Sequence, residues 1–122
     1  AVRYEVRASI ESICHCHCTM CQKVHGAAFG TYAPVPRAAF RVTSGSGAIH
    51  AYQSSPAARR LFCSRCGSSL VWDNETEFRD AIFLAVATLD TAISPPAQRH
   101  IHVSSKVSWY EIADRWPRSE WY

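Results

Sequence analysis

The sequence predicts a mostly β domain built around thiol-rich metal sites. Three observations carry that prediction. Short apolar runs of strand length recur along the chain, separated by turns rich in Gly, Pro, Ser and Asn. The opening Ala1-Val2-Arg3-Tyr4-Glu5-Val6-Arg7-Ala8 alternates apolar and polar with the period of a half-buried strand. The run Cys14-His15-Cys16-His17-Cys18-Thr19-Met20-Cys21, with Cys63-Ser64-Arg65-Cys66-Gly67 far downstream, packs soft donors more densely than a core needs. With 122 residues, one domain spanning 1–122 is expected, with no internal repeat and no room for a β-α-β series.

Taken in order, the opening strand leads into the cysteine turn. Gln22-Lys23-Val24-His25 opens as a short helical turn that must end near Gly26 or Gly30. Thr31 to Pro36 is extended, and Pro34 and Pro36 confine it to a sheet edge or a loop. Phe40-Arg41-Val42-Thr43 and Ala48 to Tyr52 read as two short strands around Ser44-Gly45-Ser46-Gly47. After a turn at Gln53 to Pro56, Ala57 to Phe62 enters the Cys63/Cys66 knuckle, where Gly67 supplies the positive φ that such a turn needs. Ser68 to Asp73 leaves as a strand, and Asp73-Asn74-Glu75 turns. Ala81 to Ala87 is the most apolar run and reads as a buried central strand. A loop from Leu89 carries Pro95-Pro96, His100 to Val103 is strand-like, and Trp109 to Asp114 makes a short helical turn before Pro117.

Composition excludes several partners. The net charge of +3 is dispersed apart from Arg59-Arg60, and the aromatic residues do not interleave with a basic stripe, so no nucleic-acid partner is expected. No apolar run reaches the length of a membrane span, and no secretory signal is visible. Thiol-rich metal sites without an export signal point to the cytoplasm. The oligomeric state is left open.

The cysteines carry the chemistry. Cys18-x-x-Cys21 and Cys63-x-x-Cys66 have the spacing at which one tight turn offers two thiolates to one ion, and Cys16 can converge with the first pair. The first cluster therefore offers three thiolates, Cys16, Cys18 and Cys21, to one Zn2+ with a fourth position to fill. Cys14 reads as a spare thiol beside them. A disulfide scaffold is the competing reading of six cysteines, but thiols two apart in a strand are badly placed to bridge to only two distant partners. If the segment is extended, His15 and His17 face away from Cys14, Cys16 and Cys18.

The cluster, the second knuckle and the tail together resemble the glutathione-dependent formaldehyde-activating enzyme family, which also includes centromere protein V. The residues that carry the resemblance are Cys16-His17-Cys18-Thr19-Met20-Cys21, Gly26-Ala27-Ala28-Phe29 and Phe62-Cys63-Ser64-Arg65-Cys66-Gly67-Ser68. Thr88-Leu89-Asp90, His100 or His102, and Lys106 with Trp109 follow in the family's order. The resemblance implies a β-tent fold of small antiparallel sheets around zinc sites. It implies that Cys63 and Cys66 belong to a structural zinc, completed by a Cys-x-Cys that is not in this sequence and is expected upstream of Ala1; the alternatives are loss of that zinc or recruitment of Cys14 as a substitute. It implies a carbon-sulfur lyase that handles glutathione, or another small thiol, and formaldehyde or a related aldehyde to give S-hydroxymethylglutathione, with Cys16, Cys18 and Cys21 as the catalytic metal ligands. Arg59, Arg60, Arg65 and Lys106 are candidates for glutathione's carboxylates by charge alone. The alternative is a non-enzymatic zinc-binding module for protein partners, in which all four metal positions are filled by the protein.

Overall fold

A computed structural model describes residues 1–94 and 96–122. Its strands are β1 (Arg3–Val6), β2 (Ser12–Cys16), β3 (Gly30–Pro36), β4 (Phe40–Ser44), β5 (Ile49–Gln53), β6 (Arg59–Cys63), β7 (Ser69–Asp73), β8 (Ala81–Ala85) and β9 (Ala97–Ile101). A single α-helix among the described residues, α1 (Thr19–His25), follows β2. The mostly β expectation holds, but the small antiparallel sheets become one seven-stranded mixed sheet in the order β5-β6-β7-β8-β3-β2-β9, with β1-β4 as a separate pair. Every neighbour in the large sheet is antiparallel except β2 with β9, which run parallel.

The period-two pattern assigns the two faces of the large sheet. Cross-strand partners Leu61↔Val71↔Leu84↔Ala33 and Ile82↔Val35 point to one side. There Val35, Leu70, Val71 and Ile82 form a buried cluster, capped by Tyr4 and Val6 of β1 and Phe40 of β4. Each fully buried aliphatic side chain there contributes roughly 1.5–3 kcal/mol. The small sheet thus covers one face of the large one. The partners Arg60↔Trp72↔Phe83↔Pro34 and, one step along β3, Tyr32↔Cys14↔Arg99 point to the other face, which holds the cleft described below.

Several local expectations need correction. Pro34 and Pro36 sit in an interior strand, because the ladder from β2 to β3 reaches only Gly30 to Tyr32 and the later half of β3 pairs with β8 alone. Proline is tolerated where one side of the strand is open. Trp109 to Asp114 is not helical. Lys106 Nζ donates to the carbonyls of Val107 and Tyr110, and Arg118 Nη2 to those of Ile112 and Asp114, so side chains take acceptors a helix would use. Of the expected Pro95-Pro96 loop, Pro95 lies outside the described residues. Among the described residues no helix is long and apolar enough to cross a membrane.

An ion pair between half-buried Arg37 and buried Asp73 ties the end of β7 to the turn after β3. Arg37 Nη2 and Nη1 donate to Asp73 Oδ1 and Oδ2 at 2.6 and 3.0 Å, and Asp73 is 3% exposed. The Arg37 hydrogen bonds hold the Asp73 carboxyl below its ordinary pKa. Arg37→Ala leaves Asp73 buried with only the longer contact to Arg59 at 3.4 Å, and we expect a loss of about 2 kcal/mol in chemical denaturation at pH 7. Because the folded pKa is depressed, the pair's contribution is complete above the ordinary carboxylate range, near about pH 4. It fades as pH falls through the lowered value, so the gap between wild type and variant should narrow only in acid. A gap that is unchanged down to complete protonation would contradict this account.

Candidate metal centre and its cleft

The thiols are placed by the junction of β2 and α1. Cys14 and Cys16 lie two apart on β2 and share its cleft face. Cys18 then leaves the strand as the N-cap of α1, its Sγ accepting from the Cys21 backbone N–H at 3.4 Å. One helical turn on, Cys21 is the buried residue of α1. The helix stops at Gly26, whose left-handed φ of 57° forms the C-cap. Capping brings the Cys18 sulfur to the backbone N–H of Cys21, so the side chains of both residues start from the first turn of α1.

The Sγ atoms of Cys16, Cys18 and Cys21 lie within 4.8 Å of one another and could hold a metal ion. Tetrahedral thiolates about 2.3 Å from zinc stand about 3.8 Å apart, so this spacing fits such an ion. Cys14 lines the same cleft without joining the three, and burial pushes its thiol up to about 11. Hydrogen bonds among the three thiols raise the pKa of Cys16 and lower that of Cys18, which accepts from both neighbours. Within the cluster, Cys18 is thus the thiol whose ionised form its neighbours favour.

Arg60 faces that charge. It is 6% exposed, donates from Nη2 to Cys21 Sγ at 3.7 Å and from Nη1 to the Tyr32 hydroxyl at 3.1 Å, and has no carboxylate partner among the described residues. Tyr32 in turn meets His25 Nε2 at 2.6 Å. Burial opposes the charge on Arg60, yet its hydrogen bond to Cys21 and the nearby Cys21, Tyr32 and Cys18 raise its pKa overall. A buried guanidinium is costly unless an anion accompanies it. Here the accompanying groups are thiols. Of the four cations named for their charge, only Arg60 lines the cleft. Arg59 is turned to Asp73, and Lys106 binds backbone carbonyls.

Behind β2, the histidines brace the turn from the opposite side. Asp114 Oδ2 accepts from His100 Nε2 at 2.8 Å, and His100 Nδ1 meets His17 Nε2 at 2.8 Å. Both rings are buried, packed with Phe29. Burial, with His100 close by, lowers the His17 pKa to about 4, so the ring is neutral. The His17 backbone N–H reaches the Ile101 carbonyl at 3.0 Å, and Gln22 Nε2 donates to the His17 carbonyl at 2.7 Å. His102, at the end of β9 with a left-handed φ of 55°, turns to the cleft side instead.

Cys63 and Cys66 stand apart from the three thiols. Cys63 is buried at the end of β6, while Cys66 is exposed beside the Ser68 hydroxyl at 3.2 Å. Hydrogen bonding from Ser68, followed by Cys63, lowers the Cys66 pKa to about 7. Gly67 has a φ of 79°, and its N–H bonds to the Cys63 carbonyl at 2.7 Å, which closes the knuckle.

The cluster opens into a cleft of about 540 Å³. Its floor is the thiol-bearing face of the large sheet, with Arg60 and Tyr32 near the thiols and Trp72, Phe78 and Phe83 along one wall. The sequence singles out Arg60 only by its charge, alongside Arg59, and gives no sign of Tyr32 or of this aromatic wall. The β6 run Arg59-Arg60-Leu61-Phe62 gives no alternation that tells which arginine turns inward, so the only usable signal was pairing with β7.

Comparison with known proteins bears on this geometry. A family model described as glutathione-dependent formaldehyde-activating enzyme matches residues 1–105. No curated protein matches the chain at a significant level. The crystal structure of a Rhodobacter sphaeroides protein is similar, with a TM-score of 0.63 and 22% identity over 75% of this chain and 83% of that one. At that identity the likeness speaks to the fold alone.

Proposed function

The chain belongs to the glutathione-dependent formaldehyde-activating enzyme family, and from that premise we propose that Cys16, Cys18 and Cys21 hold a zinc ion beside which a small thiol binds as its thiolate. The reaction is the reversible joining of that thiol to an aldehyde, of carbon-sulfur lyase type. With glutathione and formaldehyde the product is S-hydroxymethylglutathione. The observation that carries this reading is the open side of the cluster: three thiols face a cleft, and no fourth protein donor joins them among the described residues. A binding module with a filled metal would have that donor.

Zinc bound there supplies a site at which a thiol stays ionised near neutral pH. The protein's part is positioning and charge. Arg60 offsets the negative charge of the thiolates, and the Tyr32 hydroxyl holds Arg60 in place. The walls keep thiol and aldehyde together, which raises their effective concentration. In the joining step the sulfur–carbon bond forms and the carbonyl π pair moves to oxygen, which takes up one proton for the one the thiol released. Cys63 and Cys66 belong, in this proposal, to a second and structural zinc, and the two sheets packed over their apolar core correspond to the β-tent.

The test is kinetic, because the uncatalysed addition is itself fast. NMR exchange spectroscopy on glutathione and formaldehyde should show faster formation and breakdown of the adduct with zinc-loaded protein, and no acceleration with Cys16→Ser. Exchange at the uncatalysed rate with fully loaded protein would overturn the enzyme reading in favour of a non-enzymatic zinc-binding module.

A further inference from the structure

The wall of the cleft is more specific than the family's named aldehyde requires. Formaldehyde has one carbon and one oxygen. The cleft, at about 540 Å³, is in the range of roughly 300–1,000 Å³ that encloses whole ligands, so its volume alone suits glutathione, which is polar and has no ring, and it is the lining that discriminates. Its wall beside the thiols is a prearranged aromatic corner. Trp72 meets Phe83 at 5.4 Å and Phe78 at 6.1 Å between ring centroids, and Phe78 meets Phe83 at 5.0 Å, with all three pairs edge-to-face. The sheet register places Trp72 and Phe83 directly opposite one another on the thiol-bearing face. Both pack against the cluster that contains Cys14, Cys16 and Cys21, yet all three aromatic residues remain only partly buried. Apolar surface of this kind, held in fixed geometry and left facing a cleft beside reactive sulfur, is completed by an apolar ligand.

We infer that the substrate of this site carries an apolar, ring-sized group on the carbon next to sulfur, and that Trp72, Phe78 and Phe83 receive it. The inference rests on the proposed thiol-binding reading and refines its substrate. The group can arrive in either of two ways. It is the substituent of the thiol itself, as in an arylmethyl thiol, or it is the substituent of an aldehyde to which glutathione adds. The same corner serves both. The addition is balanced as before: the sulfur–carbon bond forms, the carbonyl opens, and its oxygen takes a proton in place of the one the thiol lost.

Two arms separate the sources. In the first, zinc-loaded protein is titrated calorimetrically with benzyl mercaptan, 2-mercaptoethanol and glutathione. In the second, the acceleration of NMR exchange over the uncatalysed rate is compared for glutathione with phenylacetaldehyde and glutathione with formaldehyde. Burial of one ring face predicts a preference of at least about tenfold for the ring-bearing compound in one arm or the other. That ratio should fall toward one in Trp72→Ala. Phe78→Ala, in the turn after β7, gives the same readout if the strand variant fails to fold. Equal affinities and equal accelerations in the two arms, with thiols still binding, overturn the inference and leave the thiol-binding reading intact. Failure of every thiol to bind overturns both.

Discussion

Arg60→Met is expected to weaken metal binding by about 10- to 100-fold while leaving the metal-free protein as stable as before, or more so. The two halves of this result have opposite causes. With an ion bound, three thiolates outweigh its two positive charges, and Arg60 is the buried cation beside them, 3.7 Å from Cys21 Sγ. Its loss leaves that excess charge in a poorly solvated site, and outer-shell partners of metal ligands typically matter by this factor. Without an ion, Arg60 is a desolvated charge beside thiols and the Tyr32 hydroxyl, with no carboxylate partner among the described residues. Replacing a buried charge by an apolar side chain of similar length is often neutral or stabilising. Chelator competition reads the first half and thermal unfolding in EDTA the second. Unchanged affinity would show that Arg60 serves packing alone.

Cys18→Ser is expected to have the larger effect on the metal, about 100-fold or more in affinity. Cys18 takes part twice, as one of three sulfurs within 4.8 Å and as the N-cap of α1. A serine keeps the cap, since its hydroxyl accepts from the same N–H, so the helix and with it the position of Cys21 are preserved. What is lost is the soft ligand. Cys18→Ala removes both, and its metal-free form should lose about 1 kcal/mol more than the serine variant. Metal content after purification, with unfolding of each metal-free variant, separates the contributions. Full metal content in Cys18→Ser would remove this residue from the site.

The sequence was most readable where chemistry is local. The spacing of Cys18 and Cys21 puts both at the start of one helix, with Cys16 at the end of the strand before it, and Gly67 at the knuckle has the positive φ that its position implies. Alternation along β2 correctly separated His15 and His17 from the thiol face. What stayed hidden depends on partners far away in the chain. Nothing near Ala97–Ile101 says that it will run parallel to β2, and nothing near Pro34 says that half of its strand will have one open side. Arg60 could not be told from Arg59 until Trp72 was seen opposite it. His17 was assigned a face, but its burial against His100 required the β2–β9 pairing first.

That parallel pairing also sets an order of assembly. The sulfurs at 16, 18 and 21 close a very short loop, whereas Cys16 meets its β9 neighbour Ile101 only once β9 has been made. Loop closure is cheap for the first contact and slow for the second. A nascent chain can therefore capture its ion at the turn long before β7, β8 and β9 complete the cleft around it. On the proposed function, metal uptake and completion of the cleft become separate events in time, and a chain interrupted between them would have the three thiols without the cleft.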